Sequence, residues 1–248
     1  MRIATWNVNG LRARTAAVLE YLTVHSPDVL CLQEVKAGPE QLPAELSAHP
    51  DYVAGWNCAP TGYSGVGILV RRSLPTPSFH VPRFDMENRA LRVDLGPLSI
   101  VDLYCPNGGK AYEPKLAFYD DLLAYSERAH ASAEAVWLCG DFNIAHTDLD
   151  IHEKERKTAD IGVRPEERDR FSRLLSHGLR DVFRAANPGA ADAFTWWPYW
   201  RKARELNRGW RIDYHLVPDA LASAVGRCEI QAHVLGSDHA PVVAEISV

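Results

Sequence analysis

No pair of cysteines is spaced as C-x-x-C, and the five present (Cys31, Cys58, Cys105, Cys139 and Cys228) are odd in number and widely separated. A thiolate zinc site and a disulfide framework are therefore both poor readings. Several of these cysteines sit in apolar runs such as Val29–Leu32, where cysteine serves as a small hydrophobe, and a reducing cytoplasm fits that usage. No basic-then-apolar leader opens the chain, and no apolar stretch is long enough to span a bilayer, so no membrane role is expected. No G-x-x-x-x-G-K-[ST] loop occurs, which excludes a P-loop NTPase. Low-complexity tracts and linkers are missing too. The 248 residues, 46% of them hydrophobic, are therefore expected to form one domain over residues 1–248. Positive charge is also short: 27 Lys and Arg face 32 Asp and Glu, for a net charge of -5. The basic residues are unevenly spread, however. Residues 201–211 carry five Arg or Lys against one acid, Glu205, and Arg12 and Arg14 stand together near the N-terminus.

Short runs rich in Val, Ile, Leu and aromatics are plentiful, and they alternate with longer helical patterns. Ile3–Trp6, Val29–Gln33, Val66–Val70, Ala90–Leu95, Leu98–Tyr104, Val136–Leu138, Ile212–Val217 and Pro241–Ile246 read as strands. Gly96-Pro97 reads as the turn of a hairpin. Leu11–His25 and Tyr112–Ala131 read as helices, and a third begins at Pro165, followed by Glu166 and Glu167 at the positive end of its dipole. Strands occur both in hairpins and alternating with helices. That mixture predicts two mixed sheets packed together with helices outside.

Several of these strands end in acid or amide side chains. Ile3–Trp6 runs into Asn7-Val8-Asn9-Gly10, Val29–Leu32 into Gln33-Glu34, and Val136–Cys139 into Gly140-Asp141-Phe142-Asn143. Alternation along a strand puts Asn7 with Asn9, and Asp141 with Asn143, on common faces. Any one such ending marks only a turn. Together they predict convergence, because Glu34 is a weak turn former and all the tips share one chemistry. Asp213 lies inside an apolar strand pattern, where an unpaired carboxylate is costly, and Ser237-Asp238-His239 offers His239 as its partner. The donors are oxygens with no thiolate beside them, which selects Mg²⁺, with Mn²⁺ as a substitute, and points to phosphate ester chemistry. On this reading Asp141 orients or deprotonates a water, Asn143 holds it or the phosphate, and His239 paired to Asp213 stabilises charge on the transition state.

The same residues carry a family resemblance that runs nearly end to end. W-N-V-N-G-L-R-A at 6–13, L-Q-E at 32–34, G-Y-S-G-V-G at 62–67, Y-C-P-N at 104–107, G-D-F-N at 140–143, T-W-W at 195–197, G-W-R-I-D-Y at 209–214 and S-D-H at 237–239 resemble the exonuclease III family of apurinic/apyrimidinic endonucleases, within the endonuclease/exonuclease/phosphatase group. L-Q-E, G-D-x-N and S-D-H belong to much of that group. T-W-W and G-W-R-I-D-Y are specific to its DNA-repair branch. The resemblance implies a four-layered α/β-sandwich and a monomeric, cytoplasmic, nucleoid-associated, Mg²⁺-dependent nuclease. Its substrate would be double-stranded DNA with abasic sites or 3′ ends, cut 5′ to the abasic residue, with 3′-5′ exonuclease and 3′-end-cleaning activity.

The resemblance also implies roles. Glu34 would be the main metal ligand with Asn7 and Asp238, and a second site would use Asp141, Asn143 and His239. Asp141, Asn143, Asp213, His239 and Tyr104 would be catalytic. Arg12, Tyr63, Asn107, Trp196, Trp210 and Ile212 would contact DNA, the last three lining a pocket for a flipped-out baseless sugar, which is cheaper to extrude than a paired nucleotide. Arg164 stands where the family commonly has an uncharged residue, and Lys110 follows Gly109 where the family varies, which touches only DNA-contact details. Two rivals stand beside this reading: a catalytically dead nucleic-acid binder, and a phosphodiesterase for another ester such as an inositol phosphate or sphingomyelin.

Overall fold

The computed structural model describes residues 1–157 and 160–247. In chain order its main elements are β1 (Arg2–Asn7), α1 (Leu11–His25), β2 (Val29–Gln33), α2 (Ala44–Ser47), β3 (Tyr52–Asn57), β4 (Val66–Arg71), β5 (Ser78–His80), β6 (Ala90–Leu95) and β7 (Leu98–Tyr104). There follow α3 (Tyr112–Ala131), β8 (Ala135–Asp141), α4 (Pro165–Ser176), β9 (Leu179–Asp181), α5 (Val182–Ala186), β10 (Asp213–Pro218), α6 (Asp219–Ala222), β11 (Val225–Ile230) and β12 (Val242–Ile246). Two six-stranded mixed sheets result, in the orders β11-β12-β1-β2-β4-β3 and β5-β6-β7-β8-β10-β9. The expected α/β-sandwich is the observed one.

The period of two along each strand explains the layering. Val29 and Cys31 of β2 and Val66, Ile68 and Val70 of β4 join Ile100, Trp137 and Cys139 of the other sheet in the core between the sheets. The intervening Leu30, Leu32 and Leu69 pack on the opposite face, with Leu11, Val18 and Leu22 of α1. On the far side, Val101, Leu103, Val136 and Leu138 meet Phe118, Tyr119 and Leu122 of α3 and Phe171 and Leu174 of α4. Strands covered on both faces read as continuous apolar runs, which is why these were legible. Each such Leu or Ile contributes about 1.5–3 kcal/mol on burial.

The register brings polar ends together. In the parallel pair of β1 with β2, Asn7 stands opposite Gln33, and Glu34 follows directly. In the other sheet Asp141 pairs in register with Tyr104 of β7 on one side and with Asp213 of β10 on the other. All these residues therefore lie at one edge of the sandwich. A buried ionic cluster anchors the approach to β10. Arg211, almost wholly enclosed, donates to Asp150 Oδ1 and Asp181 Oδ2 at 2.7 Å each, and Arg184 reaches the same Asp150 oxygen at 2.5 Å. Among the described residues, no helix is long and apolar enough to cross a membrane.

Candidate active site

At that edge lies a cleft of about 390 Å³, lined by Glu34, Lys36, Tyr104, Asn107, Asp141, Asn143, Ile161, Gly162, Trp196, Trp210, Ile212, Asp238 and His239. Asn7 ties the two sheets together across its floor. Its Nδ2 donates to Glu34 Oε1 at 3.0 Å and to Asp141 Oδ2 at 2.9 Å, while its Oδ1 accepts the Asn9 N–H at 3.0 Å. Asn7 thus presents its amide NH2, not its oxygen, to the carboxylates. Asn9 in turn donates to Asp238 Oδ1 at 3.0 Å, and Trp196 Nε1 donates to Asp238 Oδ2 at 3.0 Å. Lys36 is paired with Glu34 and donates to Asn9 Oδ1 at 2.7 Å.

Asp141 is enclosed and accepts two more hydrogen bonds, both from Asn143: Oδ1 receives the N–H at 2.9 Å, and Oδ2 receives Nδ2 at 3.2 Å beside the Asn7 bond. Asn143 Nδ2 also donates to the Cys105 carbonyl at 2.9 Å. His239 Nδ1 lies 2.9 Å from Asp213 Oδ2, and its Nε2 faces Asp141 Oδ2 at 4.0 Å. The Thr195 hydroxyl oxygen accepts the Ile212 and Asp213 N–H groups, which fixes the start of β10. Four of these residues (Asn9, Glu34, Lys36 and Asn143) have φ between 46° and 52°. Left-handed backbone at non-glycine residues costs about 1–3 kcal/mol each and collects where function constrains geometry.

Charge in the cleft is arranged asymmetrically. Burial pushes the Asp141 carboxyl upward, and the negative charges of Asp213 and Glu34 add to this against the opposing effect of His239. Burial alone would lower the His239 imidazole, but the charge and hydrogen bond of Asp213 raise it well above its usual range. Glu34 and Asp238 are held below the carboxylate norm: burial opposes this, but Lys36 and Asn7 outweigh it for Glu34, and His239, Asn9 and Trp196 for Asp238. The Tyr104 phenol is pushed up by burial and then by Glu34 and Asp141, so it remains a donor.

One oxygen each from Glu34 and Asp141 and one ring nitrogen of His239 lie within 4.8 Å of one another. A charged imidazolium offers no lone pair, so the two carboxylates are the donors available. Crowded, buried carboxylates that repel each other fit a hard divalent cation, whose charge relieves that repulsion.

The remaining sequence-derived residues fall in two groups. Trp196 and Trp210 are half-buried, set edge to face at 6.1 Å, and form a wall with Ile212. Trp197 is buried, whereas Tyr199 and Trp200 are exposed, so the aromatic segment divides between core and surface. Asn107 is exposed at the rim, 3.5 Å from Asn143 Oδ1 through its Nδ2. Arg12 is exposed at the start of α1 and does not line the cleft. Tyr63 also stands outside, but connects to it through Arg89, whose guanidinium lies 4.6 Å from the Tyr104 ring and donates to the Tyr63 hydroxyl at 3.0 Å. Lys110 also sits over the Tyr63 ring, 5.1 Å from its centroid. Asn9, Lys36, Arg89 and Tyr199, the last donating from its hydroxyl to Asp238 Oδ1 at 3.2 Å, were not singled out as site residues by the motifs.

Fold and site together define an α/β-sandwich protein with a carboxylate-centred hydrolytic cleft at its strand ends. The pattern of the Endonuclease/Exonuclease/phosphatase family matches residues 4–239, and the chain belongs to that family. It is 33% identical over 257 residues to an exodeoxyribonuclease of Bacillus subtilis (strain 168), covering all of both chains. It is 35% identical over 252 residues to Recombination repair protein 1 of Drosophila melanogaster, covering 98% of this chain but 36% of that protein. Among solved structures, a 3'-5' exonuclease from Neisseria meningitidis superposes with a TM-score of 0.91 at 31% identity, over the whole of both chains.

Proposed function

We propose that this chain, acting as one domain over residues 1–248, is a divalent-metal-dependent DNA-repair nuclease that hydrolyses the phosphodiester 5′ to abasic sites and trims or cleans 3′ ends of duplex DNA. The single observation that carries this reading is the meeting of Glu34, Asp141 and the Asp213–His239 pair beside the Trp196–Trp210 wall. The full-length similarity to an exodeoxyribonuclease supports a DNA substrate, as does the same fold in a Neisseria 3' phosphatase bound to product DNA hairpin.

Glu34 is the principal carboxylate for Mg²⁺ or Mn²⁺, with Asp238 beside it. Asn7 acts as the spacer that sets Glu34 against Asp141. Such a cation, when bound, supplies positive charge to the phosphate oxygens. The chain's own residues do the rest. Asp141, with its carboxyl shifted toward neutrality, takes a proton from the attacking water, and Asn143 holds Asp141 in line. As water bonds to phosphorus, the bond to the upstream O3′ breaks, and the departing oxygen takes a proton from solvent water to become a 3′-hydroxyl. His239, kept charged and oriented by Asp213, donates to a non-bridging oxygen, and Tyr104 and Asn107 donate from the other side.

A duplex carrying one abasic analogue, incubated with Mg²⁺, should be cut once on its 5′ side, and EDTA should stop the reaction. An intact strand, or cutting indifferent to EDTA, would sink the proposal. Glu34→Ala should raise the Mg²⁺ concentration for half-maximal rate by at least about tenfold; an unchanged titration would move the main ligand elsewhere. Trp210→Ala should open the sugar pocket and lower the preference for abasic over intact internal sites by roughly tenfold, read as a ratio of incision rates. An unchanged ratio would remove Trp210 from discrimination.

A further inference from the structure

Lys115, in the first turn of α3, and Glu167, in the first turn of α4, are charged side chains outside the cleft that are fully enclosed in the protein. Lys115 Nζ lies 2.6 Å from Glu167 Oε1. It also donates to the carbonyl of Asn143 at 2.8 Å and to that of Asn107 at 3.3 Å. The second Glu167 oxygen accepts the N–H of Gly162 at 2.7 Å and that of Arg164 at 3.0 Å. One ion pair therefore joins α3, α4 and three loops at the cleft.

The groups it holds are not arbitrary. Asn107 and Asn143 both line the cleft. Asn143 is in the left-handed region at φ 52°, and its side chain reaches Asp141 at 3.2 Å. Fixing its carbonyl fixes that conformation. Gly162 lies under the pocket wall, where an added Cβ would stand 3.0 Å from the Trp210 ring. A buried ion pair is a poor device for stability, since apolar residues of similar volume serve as well or better. Apolar residues cannot, however, hold two carbonyls and two amides at set places.

We propose that Lys115 and Glu167 form a positioning pair for phosphodiester hydrolysis, setting Asn107, Asn143 and the loop under Trp210. This rests on the nuclease reading above. The test is the double variant Lys115→Met/Glu167→Gln, which removes both charges and keeps an acceptor for the two N–H groups. On the abasic duplex, kcat should fall about 100-fold while KM stays within roughly threefold, with the folded-state circular dichroism retained. The side-chain amide NMR signals of Asn107 and Asn143 should move in the same protein. A folded double variant with kcat within about threefold of the parent overturns the proposal.

If the double variant does not fold, Glu167→Gln alone is measured, and a loss of about tenfold in kcat at unchanged KM is expected. Full activity there, or failure of both variants to fold, assigns the pair to the fold alone. If the parent protein does not cut the abasic duplex, the nuclease reading fails separately. The amide signals then decide this proposal, and unmoved Asn107 and Asn143 signals overturn it.

Discussion

Asp141→Asn is expected to lower the rate of abasic-site cleavage at least about 10³-fold, with the dissociation constant for uncut duplex within roughly threefold of the parent. The substitution keeps the volume of a side chain that is buried and surrounded by donors from Asn7 and from the backbone and side chain of Asn143. It removes the basicity that burial and the charges of Asp213 and Glu34 confer. It also turns an amide NH2 toward groups that themselves donate. DNA contacts from the rim and the tryptophan wall remain, so binding and chemistry should separate. Single-turnover cleavage and fluorescence anisotropy on the same duplex would measure both, and an active Asp141→Asn protein would remove Asp141 from the base role.

Asp150→Asn should be the most damaging change away from the cleft, at about 3–5 kcal/mol, because it strips a buried cluster of one of its two carboxylates. Asp150 accepts from Arg211, from Arg184 and from the Thr147 N–H and hydroxyl, and Asp181 is the other acid beside Arg211. For a chain of this size the midpoint of thermal unfolding should drop by roughly 10 °C. Burial alone would raise the Asp150 carboxyl, but the charge and hydrogen bonds of Arg211, then Arg184, bring it down to about 2. A depressed folded-state value stabilises fully above the unfolded carboxylate range near ~3.9 and loses that contribution as pH falls. The gap between parent and variant in urea unfolding should therefore be wide at pH 7. It should close between about pH 4 and pH 2. Equal midpoints at pH 7 would show that the cluster contributes nothing.

The legible parts of the fold were the strands buried on both faces, such as β2, β4, β7 and β8, whose apolar runs need no alternation to be seen. The strands that escaped are β3, β5, β9 and β11. β5 and β11 are edge strands with few buried side chains, and β3 and β9 also close their sheets, with Gly55 interrupting β3 and only three residues in β9. Edges carry less apolar pattern because one side has no partner strand. In the cleft, residues at strand ends were legible because the tips share one chemistry, although Asn9, Glu34 and Asn143 lie just past their strands in left-handed backbone, where alternation does not apply. Their roles rest on the reactions proposed above. Lys36 and Arg89 were not legible, since a lysine after a strand and an arginine before one normally meet solvent. Lys115 carried a faint signal. It occupies the first position of the buried stripe that continues through Phe118, Tyr119 and Leu122 along α3, where a charge has to have a partner.

The central claim is that strand ends from both sheets build one cation site around Glu34 and Asp141. Anomalous diffraction from crystals soaked in Mn²⁺ tests it without recourse to activity. A manganese peak bonded to a Glu34 carboxylate oxygen and adjacent to Asp141, lost in Glu34→Ala crystals, is the expected result. Manganese absent from Glu34 at saturating concentration, or bound only elsewhere on the surface, would contradict the account.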